Sequence, residues 1–152
     1  MRIRVLREGK ARNPHLRALE AEYAARIARF TDIVLEDVTF ERKAPARREL
    51  SGEERRLIEK LRGSVKILLD PTGREWTSEA FAEWLEKQAA QGTRELAFMI
   101  GGADGFSQAW RKEADVLLAL SRMTFTHEWA RAILLEQIYR GFTMLRGFPY
   151  AR

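Results

Sequence analysis

Two stretches of the chain hold residue types spaced for chemistry. In FMIGGADGFS, residues 98–107, an apolar run stops on Gly101-Gly102, and Gly105 follows. Glycines at a strand end let backbone approach a ligand closely and supply positive φ where a turn needs it. A plain tight turn has the same appearance. In LSRMTFTHEWARAILLEQIYRGF, residues 120–142, Ser121, Thr124, Thr126 and His127 crowd a short polar turn before an apolar helix. Hydroxyls and free amides there suit a polar ligand, and equally suit a helix cap beside a satisfied histidine. The helix carries Arg131, Glu136, Gln137, Tyr139 and Arg140 among Ile133, Leu134, Ile138 and Phe142. That pattern fits a helix lining a site and meeting a partner subunit, and it also fits plain core packing. The tail Phe148-Pro149-Tyr150-Ala151-Arg152 ends on an aromatic and a cation, able to stack on a base and pair with a phosphate, or simply to fray.

Several chemistries are disfavoured at once. G-G-x-x-G lacks the dinucleotide-binding spacing, and no P-loop motif occurs. Ser121, His127 and Asp115 could form a triad, but no G-x-S-x-G elbow presents a serine nucleophile. There is no cysteine, and the histidines number two, His15 and His127, so thiolate and His-rich metal sites are not expected.

The elements that must hold these residues follow from periodicity. IRVLR at 3–7 reads as a strand. Asn13-Pro14 caps an amphipathic helix through Leu16, Leu19, Tyr23 and Ile27 to about Phe30, and residues 32–40 are β-like. ERKAPARREL is a basic, proline-broken loop. Ser51 to Glu54 is a capping box for a helix closed by Gly63. VKILLD at 65–70, ELAFMI at 95–100 and VLLAL at 116–120 are continuous apolar runs, as in strands covered on both faces. PTGREW reads as a turn, after which Thr77 or Ser78 caps a helix with Phe81, Trp84 and Leu85. A short helix spans about Ser107 to Ala114, and Thr126 caps the last helix, which runs to about Leu145. This alternation predicts an α/β fold, a mostly parallel sheet with flanking helices, in a single domain over residues 1–152. Ligands of such sheets bind beyond the carboxyl ends of the strands. Loops after Leu69-Asp70, Ile100 and Leu120 leave those ends.

The net charge of +5 is uneven: residues 1–62 hold 16 Lys+Arg against 11 Asp+Glu, whereas the remainder is neutral. A basic first part suits a polyanion, and a solubilising surface would look alike. Neither a signal-peptide pattern nor an apolar run long enough for a bilayer is apparent, which makes the cytoplasm the default and a membrane role unexpected.

Taken together, IGG…G…LS-x-x-T-x-x-H…R-x-x-L-x-E-Q-x-Y-R…PY resembles the RlmH family of the SPOUT superfamily over the whole chain. Those proteins methylate N3 of a pseudouridine in 23S rRNA. The resemblance implies a C-terminal trefoil knot, a homodimer, S-adenosylmethionine as methyl donor and no metal. It assigns the donor site to Leu69, Gly101 and the run Leu120-Ser121-Arg122-Met123-Thr124-Phe125, with Gly102 and Gly105 shaping the loop. His127 or Glu136 would accept the N3 proton, Arg131 or Arg140 would stabilise the developing anion, and Tyr150 and Arg152 would complete the site from the tail. Ala151 stands where the family pattern has histidine, leaving that role empty. Docking to rRNA within the ribosome would fall to Arg42, Lys43, Arg47 and Arg48. The rival readings are a SPOUT enzyme for another rRNA or tRNA uridine, and a ribosome-binding maturation factor without catalysis.

Overall fold

The structure, a computed structural model, describes residues 1–39, 50–102 and 105–150. Five strands, β1 (Arg2–Glu8), β2 (Asp32–Val38), β3 (Val65–Glu75), β4 (Glu95–Ile100) and β5 (Val116–Ala119), pair in the order β2-β1-β4-β3-β5. Every pairing is parallel. The helices are α1 (Pro14–Ile27), α2 (Gly52–Lys60), α3 (Ser78–Ala90), α4 (Gln108–Glu113) and α5 (His127–Arg146).

Period-two alternation along the strands feeds two cores, one on each face. Ile3, Val5, Ile67, Leu96, Phe98 and Ile100 point to the face where Ile27 of α1, Phe81 and Leu85 of α3, and Leu134, Leu135 and Ile138 of α5 pack. Leu6, Leu68, Ala97 and Met99 point the other way, against Leu57 and Ile58 of α2 and Trp110 of α4. Leu134, Leu135 and Ile138 are wholly buried, each contributing about 1.5–3 kcal/mol of apolar burial. That burial fixes the pitch and position of α5, so its first turn projects past the sheet edge. Gly141 brings α5 close to α3: a Cβ there would lie 3.0 Å from Leu85 Cδ1.

Each cap does a local job. Asn13 Oδ1 accepts from His15 N at 2.9 Å with proline at the first helical position. Ser51 and Glu54 close the expected capping box. Thr77, rather than Ser78, caps α3, and Gly147 ends α5 in the left-handed conformation (φ 67°).

PTGREW proves to be both turn and strand. Leu69 and Arg74 both face Leu118 of β5, so residues 70–73 bulge out of β3 before pairing resumes at Arg74 and Glu75. Asp70 holds the bulge by accepting from Thr72 N (2.8 Å) and Thr72 Oγ1 (2.5 Å). Gly73 then crosses β5 so closely that a Cβ would sit 2.5 Å from the Leu117 carbonyl carbon. A sequence turn signal cannot distinguish a chain that leaves the sheet from one that returns to it.

Candidate functional site

The parallel sheet sends every strand's carboxyl end to the same edge, and a cleft of about 1140 Å³ opens there. Three loops were expected at this edge, and all three line it. Leu69, Gly101, Gly102, Gly105, Leu120, Ser121, Met123, Thr124 and Phe125 face the cleft, which is nine of the ten residues expected to hold a donor. Arg122 does not: its side chain is turned outward, 87% exposed, and its Nε donates to Glu75 Oε1 at 2.7 Å. The ion pair with Glu75 draws this side chain away from the cleft.

Backbone turns shape this wall of the cleft. Gly105 adopts φ 68° and donates to Gly102 O at 2.9 Å, folding the loop after β4 back on itself. A Cβ on Gly101 would come within 3.1–3.3 Å of Gly105 and Phe106, so any side chain there would require the loop to give by a few tenths of an ångström. Ser121 Oγ accepts from Met123 N at 3.0 Å, shaping the turn after β5. Asp70 forms part of the floor. Burial pushes its carboxyl upward, but the hydrogen bonds from Thr72 and the Arg111 guanidinium at 2.8 Å outweigh this and hold it below its ordinary value.

The other wall was not foreseen. Gly9, Lys10, Ala11 and Arg12, from the loop after β1, and Thr39, following β2, line it. Asp70, Pro71, Ile100, Thr126, Glu128 and Ala130 also face the cleft. The signal available was the glycine and two cations directly after an expected strand; the missing knowledge was that this strand runs parallel to the others. Glu128, in the first turn of α5, accepts hydrogen bonds from Arg12 N and Asn13 N, tying the β1 loop to the helix. The Arg12 amide is the chief reason its carboxyl lies below the usual range.

His127 lies between the two walls. Its Nε2 is buried without a hydrogen-bond partner among the described residues, and Gly9 packs against its ring. Histidine so placed can take a proton from something in the cleft.

The remaining expected catalytic residues that the structure describes separate into two other groups, neither lining this cleft. Arg131 is buried beside the sheet: NH2 meets Glu20 Oε2 at 2.8 Å, and NH1 meets Asp37 Oδ1 at 2.9 Å and Glu36 O at 3.2 Å. Glu20 is shared with buried Arg7, whose NH1 lies 2.6 Å away. Both terminal nitrogens of Arg131 are thus engaged within the protein, its buried Nε has no partner among the described residues, and the side chain does not line this cleft. Glu136, Arg140 and Tyr150 form a separate half-buried cluster further along α5. Arg140 NH2 lies 2.6 Å from Glu136 Oε1, and Tyr150 Oη contacts Tyr23 Oη at 2.8 Å and Glu136 at 3.3 Å. Desolvation, with the hydrogen bond to Tyr23, pushes the Tyr150 phenol up. Arg42, Lys43, Arg47, Arg48, Ala151 and Arg152 lie outside the described residues.

Among the described residues no cluster of three or more His, Asp or Glu is arranged for a metal ion, and no helix is long and apolar enough to cross a membrane.

The chain is similar throughout to known proteins. A family model described as Predicted SPOUT methyltransferase matches residues 1–151. The Ribosomal RNA large subunit methyltransferase H of Geotalea uraniireducens is 44% identical over 99% of this chain and 99% of its own length. The protein of the same name from Solibacter usitatus is 42% identical, with both chains fully covered.

Proposed function

This chain belongs to the SPOUT methyltransferase family, and from that premise we propose that it methylates N3 of a pseudouridine in 23S rRNA, on the assembled ribosome, as a single domain acting in the cytoplasm. The methyl donor is S-adenosylmethionine, whose sulfonium supplies an already activated methyl group. The observation that carries the reading is the convergence of nine donor-site residues, from three separate loops, on one cleft at the strand ends. The cleft fits such a donor: Gly101 packs tightly on Gly105 and Phe106 behind the cleft wall, and main-chain groups of Gly101, Gly102, Gly105 and the Ser121–Phe125 turn can read adenine and methionine ends. Its volume exceeds the roughly 300–1000 Å³ of a small-molecule site, leaving space for a nucleobase.

The protein's own part is alignment and proton removal. His127 accepts the N3 proton: its unpartnered Nε2 and its station between the walls support this. Asp70, paired with Arg111, stays ionised and fixes the floor. Glu136, Arg140 and Tyr150 stand apart from their own cleft, so any role of theirs in the reaction, and of Arg152 beside them in the sequence, is exerted across a homodimer, on the partner's cleft. Exposed Leu19, Trp129, Met144 and Phe148 support such a pairing. The resemblance supports the C-terminal trefoil knot. The basic composition of residues 41–50 supports docking of rRNA through Arg42, Lys43, Arg47 and Arg48.

Transfer of labelled methyl from S-adenosylmethionine to ribosomes lacking the modification tests the proposal, with free rRNA for comparison. Incorporation at one pseudouridine is expected. Incorporation at another uridine would favour a different SPOUT target, and absence of both transfer and donor binding would favour a maturation factor.

A further inference from the structure

The cleft is chemically two-sided, and the strand order explains why. Donor-site residues leave β3, β4 and β5, whereas β1 and β2 form the other side of the sheet and end in Gly9–Arg12 and Thr39. Charge is divided the same way. The carboxylates that face the cleft are already engaged, Asp70 with Arg111 and Thr72, and Glu128 with the amides of Arg12 and Asn13. Lys10 and Arg12 line the cleft, and both are exposed with no acidic side-chain partner among the described residues. Among the described residues lining the cleft, uncompensated charge is therefore cationic and belongs to one short loop.

That loop is held at both ends. Gly9 adopts φ 92° and donates to Val38 O at 2.9 Å, anchoring the loop to β2. Glu128 grips Arg12 N and Asn13 N from the first turn of α5, and Asn13 then caps α1. Two cations on a fixed backbone lose less conformational freedom on binding than the same cations on a free loop. The loop also abuts the reacting position, since a Cβ on Gly9 would lie 3.4 Å from His127 Nε2.

We propose that the Gly9–Arg12 loop is the acceptor subsite, in which Lys10 and Arg12 hold the phosphodiesters flanking the target nucleotide while Gly9 keeps the imidazole of His127 against it. This rests on the methyltransferase reading and adds to it where the RNA strand runs. Glu128 is a positioning residue, acting through the loop.

The test measures binding of the full-length protein to ribosomal particles lacking the modification, over a series of salt concentrations, beside S-adenosylmethionine affinity. The variants are Lys10→Gln, Arg12→Gln and their combination. The double variant is expected to bind particles at least tenfold more weakly, with a log–log salt slope shallower by about 1.4–1.8 for two lost phosphate contacts. Donor affinity should remain within twofold, which also reports a folded cleft. Each single variant should show about half the change in slope, and Lys10→Arg should restore it. Reduced donor affinity with unchanged particle binding would assign the cations to the donor's carboxylate and overturn the proposal. An unchanged salt slope would overturn it too. Should the wild-type protein bind particles but transfer no methyl, the methyltransferase reading fails, and the slope still decides the subsite.

Discussion

His127 and Arg131 lie one turn apart on the same helix, yet they inhabit different chemistry. His127 faces the cleft with Nε2 unpartnered among the described residues; Arg131 is surrounded by Glu20, Asp37 and the Glu36 carbonyl. One turn of helix, about 5.4 Å, carries α5 from beyond the strand ends to alongside β1 and β2. Beyond the strand ends, polar groups remain available to a ligand. Alongside the strands, burial demands that each charge find a partner within the protein. The difference teaches that polarity in an apolar helix identifies two kinds of residue, and position relative to the sheet edge separates them.

Arg131→Met should produce the largest effect. It leaves Glu20 and Asp37 with fewer counter-charges in a buried setting, and a loss of about 3–5 kcal/mol is expected in urea unfolding, with donor affinity of the folded protein unchanged. A loss under about 1 kcal/mol together with abolished methyl transfer would break the comparison, because Arg131 would then act on substrate. His127→Ala should do the reverse. Single-turnover methyl transfer should slow by roughly 100-fold, about 2.7 kcal/mol in the barrier, while stability shifts by about 1 kcal/mol or less. An undiminished rate with saturating donor would remove His127 from the reaction. The smallest effect concerns Asp70, a closed pair at the open end. Its folded pKa lies below the ordinary 3.8, so its stabilisation is fully present above that value and is lost as pH falls through the lower folded one. Acid unfolding curves of Asp70→Asn should accordingly be flatter than wild type below about pH 4. Parallel curves would show that Arg111 and Thr72 give the carboxylate no net preference for the charged form.

Much of this arrangement was legible in the sequence because its determinants are local. Continuous apolar runs identified β3, β4 and β5; Asn13, Ser51 and Thr126 identified helix starts; and Gly101 and Gly105 identified a turn that needs glycine. What remained hidden depends on partners distant in the chain. Nothing near Arg131 announces Glu20, 111 residues away, and nothing near Gly9 announces that β1 runs parallel to β4. The bulge at residues 70–73 was hidden for the same reason, since Pro71 and Gly73 signal a turn while Leu117 and Leu118 decide that the chain rejoins the sheet. The outward turn of the Arg122 side chain was hidden likewise, since its partner Glu75 lies 47 residues away. The division of α5 into a cleft end, a buried ion cluster and the Glu136–Arg140–Tyr150 group required all the surrounding elements.

The all-parallel sheet also dictates an order of events at the ribosome that makes this chain. β1 occupies an interior place between β2 and β4, but its β4 partner begins at Glu95, 93 positions after Arg2. At roughly 5–20 residues per second, β1 and β2 wait several seconds after their own synthesis before β4 exists. Throughout that interval Ile3, Val5 and Leu6 have backbone groups ready to pair on one side and no strand to meet them. Contacts of such long sequence separation place this chain among slow folders. Its early half therefore carries an open strand edge until the second half of the chain has emerged.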